Sequence, residues 1–108
     1  MIYELRIYRC LPGRLPALLK RFETDTLRIW NRIGIRQAGF WTQTIGESNG
    51  DFYYFLQWDS LAEREKKWGA FIADSEWLEK RAESERDGPI IASISNSFLT
   101  PTAFSTVK

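Results

Sequence analysis

The chain has 108 residues, 44% apolar and 27% charged, with 15 basic and 14 acidic side chains. This length predicts one globular domain over residues 1–108, and the net charge of +1 gives no general attraction for nucleic acid. The sequence has no histidine, which excludes Ser-His-Asp and Cys-His nucleophile systems as well as histidine-ligated metals.

The sequence predicts a cytoplasmic protein. Its longest apolar run, Phe52–Leu56, is too short to cross a bilayer, and the first residues lack the basic and apolar regions of a secretory signal. The lone cysteine, Cys10, cannot form an internal disulfide, which fits a reducing compartment. With only Arg9 beside it, Cys10 is expected to be an unreactive thiol.

The first predicted element is a strand over Ile2–Cys10, where apolar and polar residues alternate. Its two faces carry different side chains: Tyr3, Leu5 and Ile7 on one, and Glu4, Arg6 and Tyr8 on the other. After Pro12-Gly13 the apolar spacing becomes helical from Arg14 to Ile33, and Gly34 is placed to end this long amphipathic helix.

A hairpin is predicted to follow the first helix. Residues Ile35–Ile45 and Phe52–Trp58 read as two antiparallel strands, joined through a turn that contains Asn49-Gly50. Gly39 indicates a bulge, or a point of close approach, in the first of them. Its position leaves open whether Phe40 or Trp41 points inward.

The remaining pattern predicts two helices and a last strand. Ser60 and Glu63 have capping-box spacing at the start of one helix, which breaks near Asp74-Ser75, and a short charged helix follows from about Glu76 to Glu85. The last strand spans Ile90–Leu99. This order predicts an α+β, ferredoxin-like β-α-β-β-α-β fold, with a four-stranded antiparallel sheet and the helices on one face.

The sheet face away from the helices is expected to pair with a second copy of the chain. We assign to it Glu4, Arg6, Tyr8, Tyr54, Leu56, Trp58 and the serines of the last strand. This face is too aromatic to stay in water, and a two-fold related sheet is the simplest cover. The sequence therefore predicts a homodimer.

Five segments of the chain, in this order, resemble the NIPSNAP family. They are Ile2–Tyr8 followed by Pro12-Gly13, Gly39–Thr42 with Ile45-Gly46, Trp58–Leu61, Asp74–Trp77 and Leu99–Ser105. The resemblance implies a dimeric α/β barrel, in which two sheets enclose a central cavity. It implies no particular reaction, because the wider barrel superfamily includes cofactor-independent monooxygenases, haem-degrading enzymes, isomerases and mutarotases.

The first strand carries the strongest candidates for a functional site. Glu4, Arg6 and Tyr8 form a row of carboxylate, guanidinium and phenol that could orient a polar group of a ligand, and Glu4 or Tyr8 could move a proton. The alternative is a Glu–Arg ion pair, across strands or between subunits, that fixes the dimer.

Aromatic residues are candidates for the walls of the same cavity. Trp41, Tyr54 and Trp58 could surround an aromatic ligand, or they could pack an interface between subunits. Ser93, Ser95 and Ser97 could add hydroxyl donors, although no general base is present to activate them, and a solvated strand face is the alternative.

These observations lead to three hypotheses about function. The first is a homodimer that binds a small apolar or aromatic molecule in the barrel cavity, without a cofactor or a metal. The second is a cofactor-independent monooxygenase or isomerase of the same fold. The third is a structural or interaction module whose barrel is filled by its own side chains.

Overall fold

A computed structural model describes residues 1–108 and contains four strands and four helices. In chain order these are β1 (Ile2–Cys10), α1 (Leu15–Arg21), α2 (Leu27–Ile33), β2 (Arg36–Thr42), β3 (Asp51–Trp58), α3 (Leu61–Ile72), α4 (Ser75–Ser84) and β4 (Ile91–Leu99). A π-helical turn, Phe22–Thr26, joins α1 to α2. No helix is long and apolar enough to span a membrane.

The strands form one antiparallel sheet in the order β2-β3-β1-β4, and the helices cover one of its faces. The predicted ferredoxin-like α+β fold is confirmed. In the central pair, Glu4 lies opposite Leu56, Arg6 opposite Tyr54, and Tyr8 opposite Phe52. Because directly paired residues share a face, this register places the polar row of β1 with the apolar residues of β3.

The first helical segment ends as predicted, with Gly34 in the left-handed region at φ 95°. Its interior differs from a regular helix. In the π-helical turn the hydroxyl of buried Thr26 donates to the carbonyl oxygen of Arg21, five residues earlier, at 3.3 Å. Arg21, the last residue of α1, is itself buried under α4. The apolar periodicity gave no sign of this turn.

Both later helices begin at side-chain caps. The Ser60 hydroxyl accepts from the Glu63 amide at 3.1 Å, whereas the Glu63 carboxylate accepts from the Asp59 amide at 2.8 Å instead of the Ser60 amide. The predicted break before α4 is confirmed, since Asp74 caps that helix by accepting from the Trp77 amide at 2.9 Å.

The bulge predicted at Gly39 is confirmed in β2. Gly39 has φ 113°, and the register with β3 shifts between Gln37 and Phe40. A Cβ at this position would lie 2.4 Å from the Trp41 ring, so only glycine fits without rearrangement. The bulge directs Phe40 toward the helices and Trp41 to the opposite face. The strand is also shorter than predicted, ending at Thr42.

The core between sheet and helices is largely aromatic. Phe22 of the π-helical turn packs on Phe52 with ring centroids 5.0 Å apart, and Trp30 of α2 packs on Tyr54 at 5.5 Å. Such pairs contribute about 0.5–1.5 kcal/mol each beyond the burial of their surface. This cluster fixes the helices over β2, β3 and β1, while β4 stays at the uncovered edge.

Candidate functional site

Glu4 is the centre of a buried polar cluster beneath α3. Its carboxylate is fully enclosed and accepts five hydrogen bonds from four side chains. The donors are Arg6 Nη1 at 3.0 Å, Trp58 Nε1 at 3.1 Å, Arg64 Nε and Nη2 at 3.2 Å each, and Asn96 Nδ2 at 3.1 Å. Burial alone raises the pKa of Glu4, but the bonds from Arg64, Asn96 and Arg6 outweigh it and lower that pKa.

Arg6 extends this cluster to two phenols. Its Nε donates to the Tyr54 hydroxyl at 2.8 Å and its Nη2 to the Tyr8 hydroxyl at 3.4 Å, while the Tyr54 hydroxyl donates to that of Tyr8 at 2.8 Å. Burial opposes the charge of Arg6, but the phenols and Glu4 raise its pKa, so the guanidinium stays charged. Burial also raises the pKa of Tyr54, which keeps that phenol neutral.

A cleft of about 450 Å³ opens beside this network, between the helices and the edge strand β4. Arg6 and Tyr8 form its floor. Its helical wall is aromatic: Phe71 lies between Trp68, at 5.0 Å, and Trp77, at 4.6 Å, measured between ring centroids. The cleft therefore combines flat apolar walls with a few fixed polar groups, as in small-molecule sites.

Two arginines flank the aromatic wall and stack on its outer rings. The guanidinium carbon of Arg6 lies 4.4 Å from the Trp68 ring centroid, and that of Arg21 lies 5.1 Å from the Trp77 ring centroid. Stacking of this kind holds each guanidinium in a fixed plane. A ligand that lies along the wall meets one positive group on either side.

The face assigned to the polar row was wrong. Glu4, Arg6, Tyr8, Tyr54 and Trp58 were expected to face away from the helices, into a barrel shared by two chains, but they lie between the sheet and the helices of one chain. Leu56, expected on the outward face as well, is buried with them. Phe52, Tyr54, Leu56 and Trp58 occupy every second position of β3, so they share one face, and that face packs in the core. The polar groups of β1 tolerate burial because they bond to one another.

Trp41 does not join the other predicted site residues. It lies on the open sheet face, 52% exposed, with its ring 6.0 Å from that of Phe55. There it borders an apolar groove of about 530 Å³ with Tyr3 and the C-terminal segment after Leu99. Tyr54 and Trp58, by contrast, are bound into the buried network through their polar atoms.

Of the remaining candidates, Ser93 borders the cleft at β4, and the others lie outside it. Ser95 and Ser97 pair with Ile7 and Leu5, so they lie on the open face, the side away from the helices on which they were predicted, but on the opposite face from Glu4. Cys10 is half-buried, and burial together with the nearby Asp51 carboxylate raises its pKa, which agrees with an unreactive thiol.

Sequence reasoning missed several residues that shape the site. Arg64 and Asn96 bind Glu4, and Trp77 and Arg21 line the cleft. Arg64 could have been found, because it lies four residues before Trp68 and thus on the same helix face. Arg21 and Asn96 carried no local signal, since their partners are distant in the sequence. No group of three or more acidic or cysteine side chains is placed to hold a metal ion.

A family model described as NIPSNAP matches residues 3–106. No curated protein matches the chain significantly. A NIPSNAP family protein with unknown function from Agrobacterium tumefaciens is 29% identical with a TM-score of 0.86, covering 100% of this chain and 94% of that one. An uncharacterized NIPSNAP domain protein from Burkholderia xenovorans is 26% identical with a TM-score of 0.83, covering 97% of this chain and 98% of that one.

More distant structures share the fold alone. A putative antibiotic biosynthesis monooxygenase from Nitrosomonas europaea is 7% identical, with a TM-score of 0.65 over 94% of this chain and 98% of that one. At such identity the chemistry of that protein does not transfer to this chain, and only the chain's own residues can indicate what it does.

Proposed function

This chain belongs to the NIPSNAP family, and we propose that it binds a small aromatic or otherwise largely apolar molecule. The proposed site is the cleft between the helices and β4, not the barrel cavity expected from the sequence. The observation that carries the proposal is the open volume of about 450 Å³ between the aromatic wall and the floor of Arg6 and Tyr8. An aromatic ligand would stack on Trp68, Phe71 or Trp77.

The buried network supports binding by holding the floor of the cleft rigid. Arg6 is fixed by Glu4 on one side and by Tyr54 on the other, so its position is set before a ligand arrives. The Tyr8 hydroxyl accepts from Arg6 and Tyr54, which leaves its own proton free to donate to a ligand. A preorganised floor lowers the entropic cost of binding.

The same geometry disfavours Glu4 as the base of a monooxygenase or an isomerase. Its carboxylate is enclosed by five hydrogen bonds, and its lowered pKa makes it a weak proton acceptor. The contacts of Glu4 suit a residue that holds Arg6 in position. Of Glu4, Arg6 and Tyr8, only Tyr8 brings a hydroxyl group to the cleft. A catalytic function that transfers a proton would depend on this hydroxyl. The open cleft also favours binding over a purely structural module.

Binding can be tested with a substitution whose side chain fills the cleft. Ala92 lies on β4 at the cleft, so Ala92→Trp should occupy the ligand volume, whereas Ala62→Trp adds the same ring at an exposed position of α3. We expect aromatic fragments to shift the indole N–H signals of Trp68 and Trp77 in NMR spectra of the wild type and of Ala62→Trp. Ala92→Trp should weaken binding about tenfold or more. Fragments that leave both indole signals unmoved in the wild type would contradict the proposal.

We also propose a homodimer that buries the open sheet face. This face carries Leu5 and Ile7 from β1, Tyr53 and Phe55 from β3, and Trp41 from β2, none of which is covered by the chain's own helices. The argument for a second copy therefore applies to this face, and not to the polar row. A contiguous apolar surface of this kind is unusual on a monomer, and a two-fold related sheet would cover it.

The dimer can be tested with two matched substitutions. Ile7→Glu places a charge in the centre of the open face, whereas Ile45→Glu makes the same change at a residue that is 94% exposed in the β2–β3 turn. Light scattering coupled to size exclusion should show a dimer for the wild type and for Ile45→Glu, and a monomer for Ile7→Glu. A wild-type monomer at micromolar concentration would refute the dimer.

The cytoplasm is the proposed location. Its support is the single cysteine, Cys10, which is free in the structure and suits a reducing compartment. Cell fractionation of the producing organism would test this.

A further inference from the structure

Arg21 is a buried cation whose hydrogen-bonding capacity is only partly used. The residue is 4% exposed, yet its Nη1 donates only to the Ser84 hydroxyl, at 3.2 Å, and the Glu85 carboxylate is no nearer than 4.0 Å. Its Nε is enclosed without a partner. A guanidinium has five N–H donors, and leaving an enclosed one such as Nε unmatched is costly. The chain itself supplies no group that completes this site.

The cleft beside Arg21 has an excess of positive charge. Its charged lining residues are Arg6, Arg21, Arg81 and Glu85, so three cations face one anion. The single carboxylate is shared, because Glu85 lies 4.0 Å from Arg21 and 3.7 Å from Arg81. Arg6 is engaged by Glu4 and the two phenols. Arg21 is therefore the buried cation with donors left for a bound anion.

We propose that the ligand of the cleft is an aromatic monocarboxylate, whose ring lies on the wall of Trp68, Phe71 and Trp77 and whose carboxylate is bound by Arg21. This inference rests on the proposed function and adds the class of ligand to it. A planar guanidinium matches the two oxygens of a carboxylate. The rings of this wall suit an aromatic ring more than the hydrated oxygens of a phosphate.

The experiment compares two probes of equal shape and different charge. By isothermal titration at low ionic strength, 2-naphthoate should bind the wild type at least about tenfold more tightly than neutral 2-naphthamide, as expected for a charge-assisted hydrogen bond. Arg21→Gln should remove this difference in affinity, because it should weaken the binding of 2-naphthoate and leave that of 2-naphthamide unchanged. Arg86→Gln, which removes an exposed arginine outside the cleft, should change neither affinity. Ala92→Trp should weaken both probes.

Each alternative result identifies what has failed. Equal affinity of the wild type for both probes overturns the proposal that the ligand carries a carboxylate, but it is consistent with an aromatic ligand in the cleft. Binding of neither probe overturns the proposed function and this inference with it. Inorganic phosphate that binds more tightly than 2-naphthoate overturns the ligand class, and an undiminished preference in Arg21→Gln overturns the role of Arg21. If Arg21→Gln does not fold, Arg21→Lys retains the charge and should reduce the preference for 2-naphthoate without abolishing it.

Discussion

The two faces of the sheet use neighbouring residues of the same strands in different ways. Under the helices, Glu4 and Arg6 are buried and joined by a 3.0 Å ion pair, whereas Leu5 and Ile7 lie half-buried on a face that no helix covers. The covered face is a polar network inside an aromatic core, and the open face is an apolar surface that no helix covers. Burial here follows the layer above the strand and not the polarity of the residue. Three predictions test this contrast, from the largest expected effect to the smallest.

The buried carboxylate should be the most sensitive position on the covered face. Glu4→Gln removes the charge that faces Arg6 and Arg64, and breaking a buried pair from one side costs about 3–5 kcal/mol. Urea denaturation should show a loss near the lower end of that range, because glutamine keeps part of the hydrogen bonding. Glu79→Gln, at an exposed position of α4, is the control and should change stability by no more than about 0.5 kcal/mol. Equal stability of the two variants would show that the cluster is not held by charge.

Tyr53 and Tyr54 provide a matched pair, since they are adjacent in β3 and point to opposite faces. Tyr54→Phe removes one buried hydrogen bond from Arg6 and one from Tyr8 and should cost about 1–3 kcal/mol. Tyr53→Phe removes one half-buried bond from Gln43, at 3.0 Å, and should cost about 1 kcal/mol or less. Thermal or urea unfolding of both variants measures the difference. A larger loss for Tyr53→Phe would reverse the assignment of the two faces.

Acid should weaken the covered face through Glu4. Burial raises the pKa of this carboxyl group, but its hydrogen bonds lower the pKa by more than burial raises it. The folded pKa therefore lies below the unfolded value of about 4.3. Its stabilising contribution is therefore complete above that value and is lost as the pH falls through the folded pKa. The unfolding free energy of the wild type should fall more steeply below about pH 4.3 than that of Glu4→Gln.

The comparison with Glu4→Gln isolates one group among several. The pKa values of Glu63, Asp74 and Glu76 are also lowered by hydrogen bonds, but these half-buried carboxylates are the same in both proteins. Parallel pH profiles for the wild type and Glu4→Gln would show that the Glu4 carboxylate gains no stability from its surroundings.

Sequence periodicity predicted the secondary structure well because its signals are local. The alternation in Ile2–Cys10, the left-handed cap at Gly34 and the bulge at Gly39 depend on residues within a few positions of each other. The candidate site was predicted less well. Glu4, Arg6, Tyr8, Tyr54 and Trp58 were predicted to share one face and do so, but that face was assigned to the wrong side of the sheet, and Trp41, predicted with them, lies on the opposite face.

What the sequence determined by itself was the order of the elements, the family and the residues that share a strand face. Only the tertiary structure decided which face the helices cover, because both faces of β1 and β3 contain aromatic residues and either could have been buried. The outcome depended on partners far away in the chain: Arg64 and Asn96, 60 and 92 residues after Glu4, supply the hydrogen bonds that make its burial affordable. The cleft has the same origin, since the helices place a wall of aromatic rings beside the edge strand β4 and leave a gap between them.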